Sequence, residues 1–389
     1  MKKAHTILIA ADTYVPTING AARFTNRLAV DLVHRGYDVH IICPDTTDSG
    51  FHTEKDEDGA TRHYVSSLPS FIYGNFAISI PPFIMRQVKK VLKAVKPDVV
   101  HAQCHYSVGR ITVYYAKKFG IRIIGTNHFM PENVLQHVPL LTKYANAWAT
   151  KFSWEDCGRV FNKCDVVTAP TPRAAGLLES EGHVNKVWPI SCGIDTAFYD
   201  LHDGEEKIEK TGKTVLFVGR LDSEKNIDLI IQAMRYLDKD IHLNIVGDGL
   251  EKKKLEKLVA ENKLVDRVHF LGKLSDVGLR KQYISADVFC MPSTAELQSL
   301  ATLESMCAAT PVVAANAMAL PHLVKDGKNG YLFEPGDVED LTQKLNLVLN
   351  ATDEEHKQMG KVSKELTYSH LLAATVDTFE RLYQGANKP

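Results

Sequence analysis

Short runs rich in valine and isoleucine alternate with segments of helical period along the chain, and this alternation restricts the fold more than any other feature. Runs apolar on both faces belong to strands covered on both sides by helices, so the pattern predicts an α/β chain with doubly wound parallel sheets. A first series of candidate strands is ILIAA (7–11), DVHIICP (38–44), DVVHA (98–102), IRIIGT (121–126), DVVTAP (165–170) and KVWPI (186–190). A second is TVLFVGR (214–220), IHLNIVG (241–247), RVHFLG (267–272), DVFCMP (287–292) and PVVAA (311–315). Between the series, DTAFYDLHDGEEKIEKTGK (195–213) is polar, charged and without apolar period, which marks a linker. The expected organisation is two Rossmann-like domains, 1–194 and 214–368, joined by 195–213. The segment 353–386 reads as helical, and its last part, the helix expected over 369–389, could pack back on the first domain. Doubly wound sheets hold ligands at the carboxyl ends of their strands, so a cleft between the halves is the expected site.

A length of 389 residues fits two domains of ordinary size. Forty-six Lys and Arg against 47 Asp and Glu leave a net charge of −1, which removes the positive field of a dedicated nucleic-acid binder. The charge is unevenly divided. Residues 1–200 carry 22 basic and 18 acidic side chains and the remainder 24 and 29, so affinity for an anionic surface belongs in the first half. Seven cysteines are scattered without C-x-x-C or zinc-like spacing, which fits a reducing cytoplasm. The opening MKKAHTILIAADTY has an apolar run too short for the ~7–15 residues of a signal h-region and reads as a first buried strand. No apolar run reaches the ~18 residues of a membrane span, so membrane contact is expected to be peripheral, on the inner face.

Four segments carry candidate chemistry. Asn19-Gly20 follows the first strand and precedes an amphipathic helix, where a glycine lets backbone N–H groups approach an anion; an ordinary strand-to-helix turn has the same look. In VGRLDSEKN (218–226), Gly219 and Arg220 end a strand and Lys225 stands near a helix start. Two such cations can hold a diphosphate, Arg by a fork and Lys as a point charge, or can be solvated surface charges. VGDG (246–249), with Gly247, is a tight turn able to pass under a nucleotide, although a bare G-x-G is more often only a turn. In PSTAELQSLATLESMCAATPVVAAN (292–316), Glu296 and Glu304 are separated by seven residues across a strand-to-helix junction. One carboxylate could then meet each end of an extended polyhydroxyl ligand whose negative middle faces the helix N-terminus.

Glu296 and Glu304 at this spacing, V-G-R-L-x-x-x-K-N, N-G before the first helix, PVVAA and DGKNGYLFEPGD (326–337) together resemble the retaining glycosyltransferases of family 4, with the two-domain GT-B fold. The resemblance covers most of the chain and is densest over 214–340. It implies that Glu296, with Leu297, Gln298 and Ser299, meets the donor sugar, that Glu304 meets the nucleotide ribose, and that Arg220 and Lys225 hold the diphosphate with the Gly20 amide. Two departures stand out. Many members have Gly or Ser and an aromatic residue after the first Glu, where this chain has Leu297-Gln298-Ser299. Members usually have Gly where Ala309 stands, and a left-handed backbone there would strain alanine.

The resemblance also implies that His128, in GTNHFMPEN (125–133), touches the donor sugar or lies near the acceptor; a lone histidine is otherwise more often structural. His101 and His105 are weaker candidates for the acceptor side. Residues 68–96 are apolar and then basic, with Arg86, Lys89, Lys90, Lys93 and Lys96 at helical spacing. Such a segment can lay its apolar stripe into a membrane interface with its cations on lipid phosphates, or pack into the core with a solvated basic face.

The expected activity is transfer of a hexose, mannose from GDP-mannose or glucose from UDP-glucose, to an alcohol acceptor, a membrane glycolipid or phospholipid headgroup, with the anomeric configuration retained. Family resemblance assigns the base role to a donor phosphate oxygen. No cofactor or metal is expected, because no D-x-D motif suited to such a metal appears and Arg220 and Lys225 supply the cations. Alternatives are a nucleotide-sugar epimerase of the same fold and a non-catalytic sugar-binding protein of two α/β lobes.

Overall fold

The computed structural model describes residues 5–17, 19–47, 49–69, 77–131, 143–200, 208 and 212–389, without the side chains of 69 and 143–146. The chain divides into two compact units, residues 1–193 with 373–389, and residues 194–372.

The first unit is built on one sheet in the order β10-β9-β8-β7-β1-β2-β4-β3. Its strands are β1 (Thr6–Ala10), β2 (Asp38–Pro44), β3 (His52–Lys55), β4 (Thr61–Val65), β7 (Val99–Ala102), β8 (Arg122–Thr126), β9 (Val166–Ala169) and β10 (Trp188–Pro189), while β5 (Leu68–Pro69) and β6 (Ala77–Ile78) form a separate antiparallel pair. All ladders of the main sheet are parallel except β3 on β4. Burial explains the pairing: β1, β7 and β9 are covered on both faces, whereas the edge strand β3 is almost wholly exposed. The strand expected over 186–190 shortens to two residues, and β3 and β4 have no counterpart among the expected strands.

The second unit has a fully parallel sheet in the order β13-β12-β11-β14-β15-β16. These strands are β11 (Thr214–Val218), β12 (His242–Val246), β13 (Val268–Gly272), β14 (Val288–Met291), β15 (Val312–Ala315) and β16 (Gly330–Phe333), the last lying inside the DGKNGYLFEPGD motif. Part of the stretch read as a linker belongs to this unit's core. Ala197–Tyr199 is a short 3-10 helix whose Tyr199 is buried edge-on against Tyr283, while 201–207 and 209–211 lie outside the described residues.

The helix Pro81–Val95 corrects one expectation. Its apolar stripe, Ile84, Val88, Val91 and Leu92, is packed in the core of the first unit against Val65, Val100 and Ile111, so it is not available to a membrane. Arg86, Lys89, Lys90 and Lys93 remain on its exposed face, beside exposed Phe83 and Met85. Residues 70–76 of the same motif lie outside the described residues.

Candidate functional site

In the second sheet the strand order reverses between β11 and β14, so the loops leaving these neighbours diverge and open a crevice at their carboxyl ends. The first loop carries Arg220 and Lys225, and the second carries Glu296. Several bonds join them. Ser293 Oγ donates to Glu224 O (3.2 Å), and Asn226 Nδ2 donates to Pro292 O (3.2 Å). Asn226 does so from a left-handed backbone (φ +48°), which asparagine tolerates better than most residues. Across the joined loops Lys225 Nζ donates to Glu296 Oε1, an ion pair whose side chains are only 13% and 11% exposed. Sequence reading assigned these two residues to different parts of a ligand; the fold puts them in contact.

Arg220 is held by two acids that sequence reading missed. Its Nη1 pairs with Asp222 Oδ2 and its Nη2 donates to Glu224 Oε1 (2.8 Å). Both carboxylates are nearly buried, and Asp222 is itself fixed by the Leu250 N–H on its Oδ1 (3.2 Å). The fork is therefore oriented before any ligand arrives. The available signal was acids at the second and fourth positions after the arginine. Around this crevice two cations face three carboxylates, Asp222, Glu224 and Glu296.

Glu304 lies within the helix Leu300–Cys307, buried, and accepts a hydrogen bond from the Tyr283 hydroxyl (3.0 Å). Glu296 precedes that helix, and its carbonyl accepts from the Ala319 N–H (3.1 Å). Gln298 and Ser299 are buried and Leu297 half-buried. Ser299 turns the chain into the helix through a left-handed backbone (φ +68°), with its Oγ 2.8 Å from Thr302 Oγ1. Ala309 is left-handed too (φ +56°), so the strain expected of alanine there is present. Gly247 (φ +134°) has a structural reason: a Cβ on it would meet Gly219 O at 1.9 Å. The two glycines let the loops after β11 and β12 lie backbone to backbone, and Gly219 N–H donates to Val246 O (3.0 Å).

In the first unit the strand order reverses between β1 and β7. Asn19 caps the helix Gly20–His34, its Oδ1 accepting from Ala22 N–H (2.8 Å), so its side chain serves the helix; Gly20 is exposed as the first helical residue. Asp12, after β1, accepts from the N–H groups of Val108 (2.8 Å) and Gly109 (3.2 Å) at the start of the helix after β7, and burial raises its pKa to about 6. His128 Nε2 donates to Gln103 Oε1 (2.8 Å), and burial lowers its pKa to about 4, so the ring is neutral at pH 7. His101 is structural: fully buried, it bonds the Tyr383 hydroxyl (2.6 Å) and Thr126 Oγ1 (2.6 Å). His105 is buried among Tyr106 and Phe129. Among the described residues no three His, Cys, Asp or Glu side chains form a group that could hold a metal ion.

These observations fit what the comparisons find. A family model for Glycosyltransferase Family 4 matches residues 18–198, and one for Glycosyl transferases group 1 matches residues 199–366. The chain is 29% identical over 325 residues to the sulfoquinovosyl transferase SQD2 of Arabidopsis thaliana, covering 80% of this chain and 60% of that protein. It is 26% identical over 346 residues to the alpha-monoglucosyldiacylglycerol synthase of Acholeplasma laidlawii, covering 85% of each. Among solved structures, sucrose-phosphate synthase from Thermosynechococcus elongatus superposes with a TM-score of 0.82 at 20% identity over 98% of both chains. Two parallel-sheet Rossmann-like halves with such neighbours have the GT-B fold. The chain belongs to glycosyltransferase family 4, with a group 1 glycosyltransferase domain as its second half.

Proposed function

We propose that this glycosyltransferase moves a hexose from a nucleoside diphosphate donor to the hydroxyl of a membrane lipid, retaining the anomeric configuration and using no metal ion. The observation that carries the reading is the crevice between β11 and β14, where an oriented arginine, a lysine and a sugar-competent carboxylate converge. Cleavage of the glycosidic bond places negative charge on the departing diphosphate. Arg220 and Lys225 stabilise that charge as it develops, the part a metal ion plays elsewhere, while Glu296 accepts from sugar hydroxyls and Glu304 from the ribose. A donor phosphate oxygen takes the proton from the acceptor hydroxyl on the same face. Lipid as acceptor is supported by the diacylglycerol product named for the Acholeplasma laidlawii relative and by the exposed basic face of the helix Pro81–Val95. No helix among the described residues is long and apolar enough to cross a membrane, so this face is the expected contact.

The test supplies UDP-glucose or GDP-mannose with diacylglycerol or phospholipid vesicles, follows glycolipid formation, and reads the anomer by NMR. Lys225→Ala should slow turnover by roughly a hundred- to a thousandfold, the usual loss of one preorganised donor of ~3–4 kcal/mol. Arg220→Lys should also be poor, since an ammonium cannot reproduce the fork held by Asp222 and Glu224. Activity should persist in excess EDTA. Loss of activity with EDTA and its return with Mg²⁺ or Mn²⁺, while Lys225→Ala stays active, would show this mechanism to be wrong.

A further inference from the structure

Lys225 and Glu296 come from loops 71 positions apart and hold each other in a nearly dry place. On the functional reading above, on which this inference rests, they serve different parts of one donor, the lysine its diphosphate and the glutamate its sugar. We propose that their ion pair makes the site discriminate between an intact nucleoside diphosphate sugar and the nucleoside diphosphate alone. A diphosphate that takes Lys225 must draw it from Glu296 and leave a nearly buried carboxylate without its cation, which is costly. Asp222 and Glu224 add to the cost, because they already occupy Arg220 and leave the local charge negative. An intact donor offsets the loss with sugar hydroxyls that donate to Glu296. A nucleoside diphosphate has no group to put there.

Glu296 therefore acts twice. It holds the sugar while the sugar is attached, and after transfer it reclaims Lys225 and weakens the hold on the diphosphate product. Selectivity of this kind comes from a penalty on the wrong ligand as much as from contacts to the right one.

The experiment is calorimetric titration of UDP, GDP, UDP-glucose and GDP-mannose into wild type, E296Q, K225M and K225M/E296Q, with folding checked by circular dichroism and Glu296→Ala used if E296Q does not fold. E296Q should bind the preferred nucleoside diphosphate about tenfold or more tightly than wild type, because Lys225 can then turn to the diphosphate without leaving a nearly buried carboxylate unpaired. It should also lose the wild-type preference for the intact donor. In the K225M background the same substitution should change the affinity less than about threefold, because the competition passes through Lys225. Unchanged or weaker diphosphate binding by E296Q overturns the proposal and leaves the functional reading standing. A tightening that persists in K225M also overturns it, in favour of simple repulsion. If no nucleotide binds the wild-type protein, the functional reading falls, and this inference falls with it.

Discussion

Four imidazoles of the first unit, His63, His101, His105 and His128, are kept neutral by burial, with pKa values lowered to about 4, 3, 4 and 4. In the unfolded chain each titrates near ~6.5. Their contribution to stability is therefore complete above that value and is lost as pH falls toward the folded values. For the nearly inaccessible His101 and His105 it amounts to roughly 3–5 kcal/mol each. Asp12 opposes them, since a carboxyl raised to about 6 favours the fold when protonated, so its contribution declines as pH rises from its unfolded value through 6. One carboxyl does not outweigh four imidazoles. The melting temperature should fall steadily between pH 7 and pH 5, and a flat or rising profile over that range would contradict the burial argument. In the second unit Glu304 needs a gentler substitution than alanine, because Glu304→Ala removes a hydrogen-bond partner of the buried Tyr283 hydroxyl at a cost of about 1 kcal/mol. Glu304→Gln should stay folded and still lose most transfer, as should Glu296→Gln. Wild-type turnover by either folded variant would remove the carboxylates from the site.

Elements whose apolar pattern is their own were legible in the sequence, and those defined by a neighbour were not. The inner strands read clearly because both faces are buried, as in β11, where all five residues are buried. Strand β3 is exposed along nearly its whole length and has no apolar run to betray it; it exists because β4 offers an antiparallel edge. Likewise the spacing of Glu296 and Glu304 was visible, but the contact of Lys225 with Glu296 depends on β11 and β14 being neighbours in the sheet, which no local pattern encodes. The helix Pro81–Val95 shows the same limit, since its period revealed two faces without saying which one the core would take. With the apolar face buried, the proposed vesicle binding would rest on Arg86, Lys89, Lys90 and Lys93, aided by exposed Phe83. Binding to anionic vesicles should then weaken steeply with salt, and replacing Lys89, Lys90 and Lys93 together by Glu should abolish it. Equal sedimentation of wild type and this variant would return the face to solvent. Past the helix Leu300–Cys307, the left-handed Ala309 carries ~1–2 kcal/mol of strain that glycine would relieve at an entropic cost of ~0.5–1. Ala309→Gly should consequently raise the melting temperature by ~1–3 °C, and a lowered value would mean that the methyl group's packing outweighs the strain.

Across the whole molecule the first unit is not a continuous stretch of chain. It comprises residues 1–193 and is completed by 373–389, after the chain has built all of the second unit. Within the second unit, Ile194 and the returning residues are stitched together, Ile194 N–H donating to His370 O (2.7 Å) and Leu372 N–H to Ile194 O (3.0 Å). The helix Leu372–Tyr383 then supplies Val376, Phe379 and Leu382, all fully buried, with Phe379 against Phe24 and His101. Arg122 Nε donates to the Leu382 carbonyl (2.9 Å), Arg35 pairs with Asp377 and Glu380, and Thr375 Oγ1 donates to Ser191 O (3.0 Å). Burying those three apolar side chains stabilises the first unit by ~5–9 kcal/mol, comparable with the ~5–15 kcal/mol that holds a whole domain together. The unit cannot reach full stability until the last residues are in place. A chain ending at Leu372 should keep slow hydrogen exchange in β11, β12, β14 and β15 but lose protection in β1, β7 and β8, because only the first unit has lost part of its core. Full protection of β1 and β7 in the shortened chain would show that the last helix is an appendage of the first unit and not a part of its core.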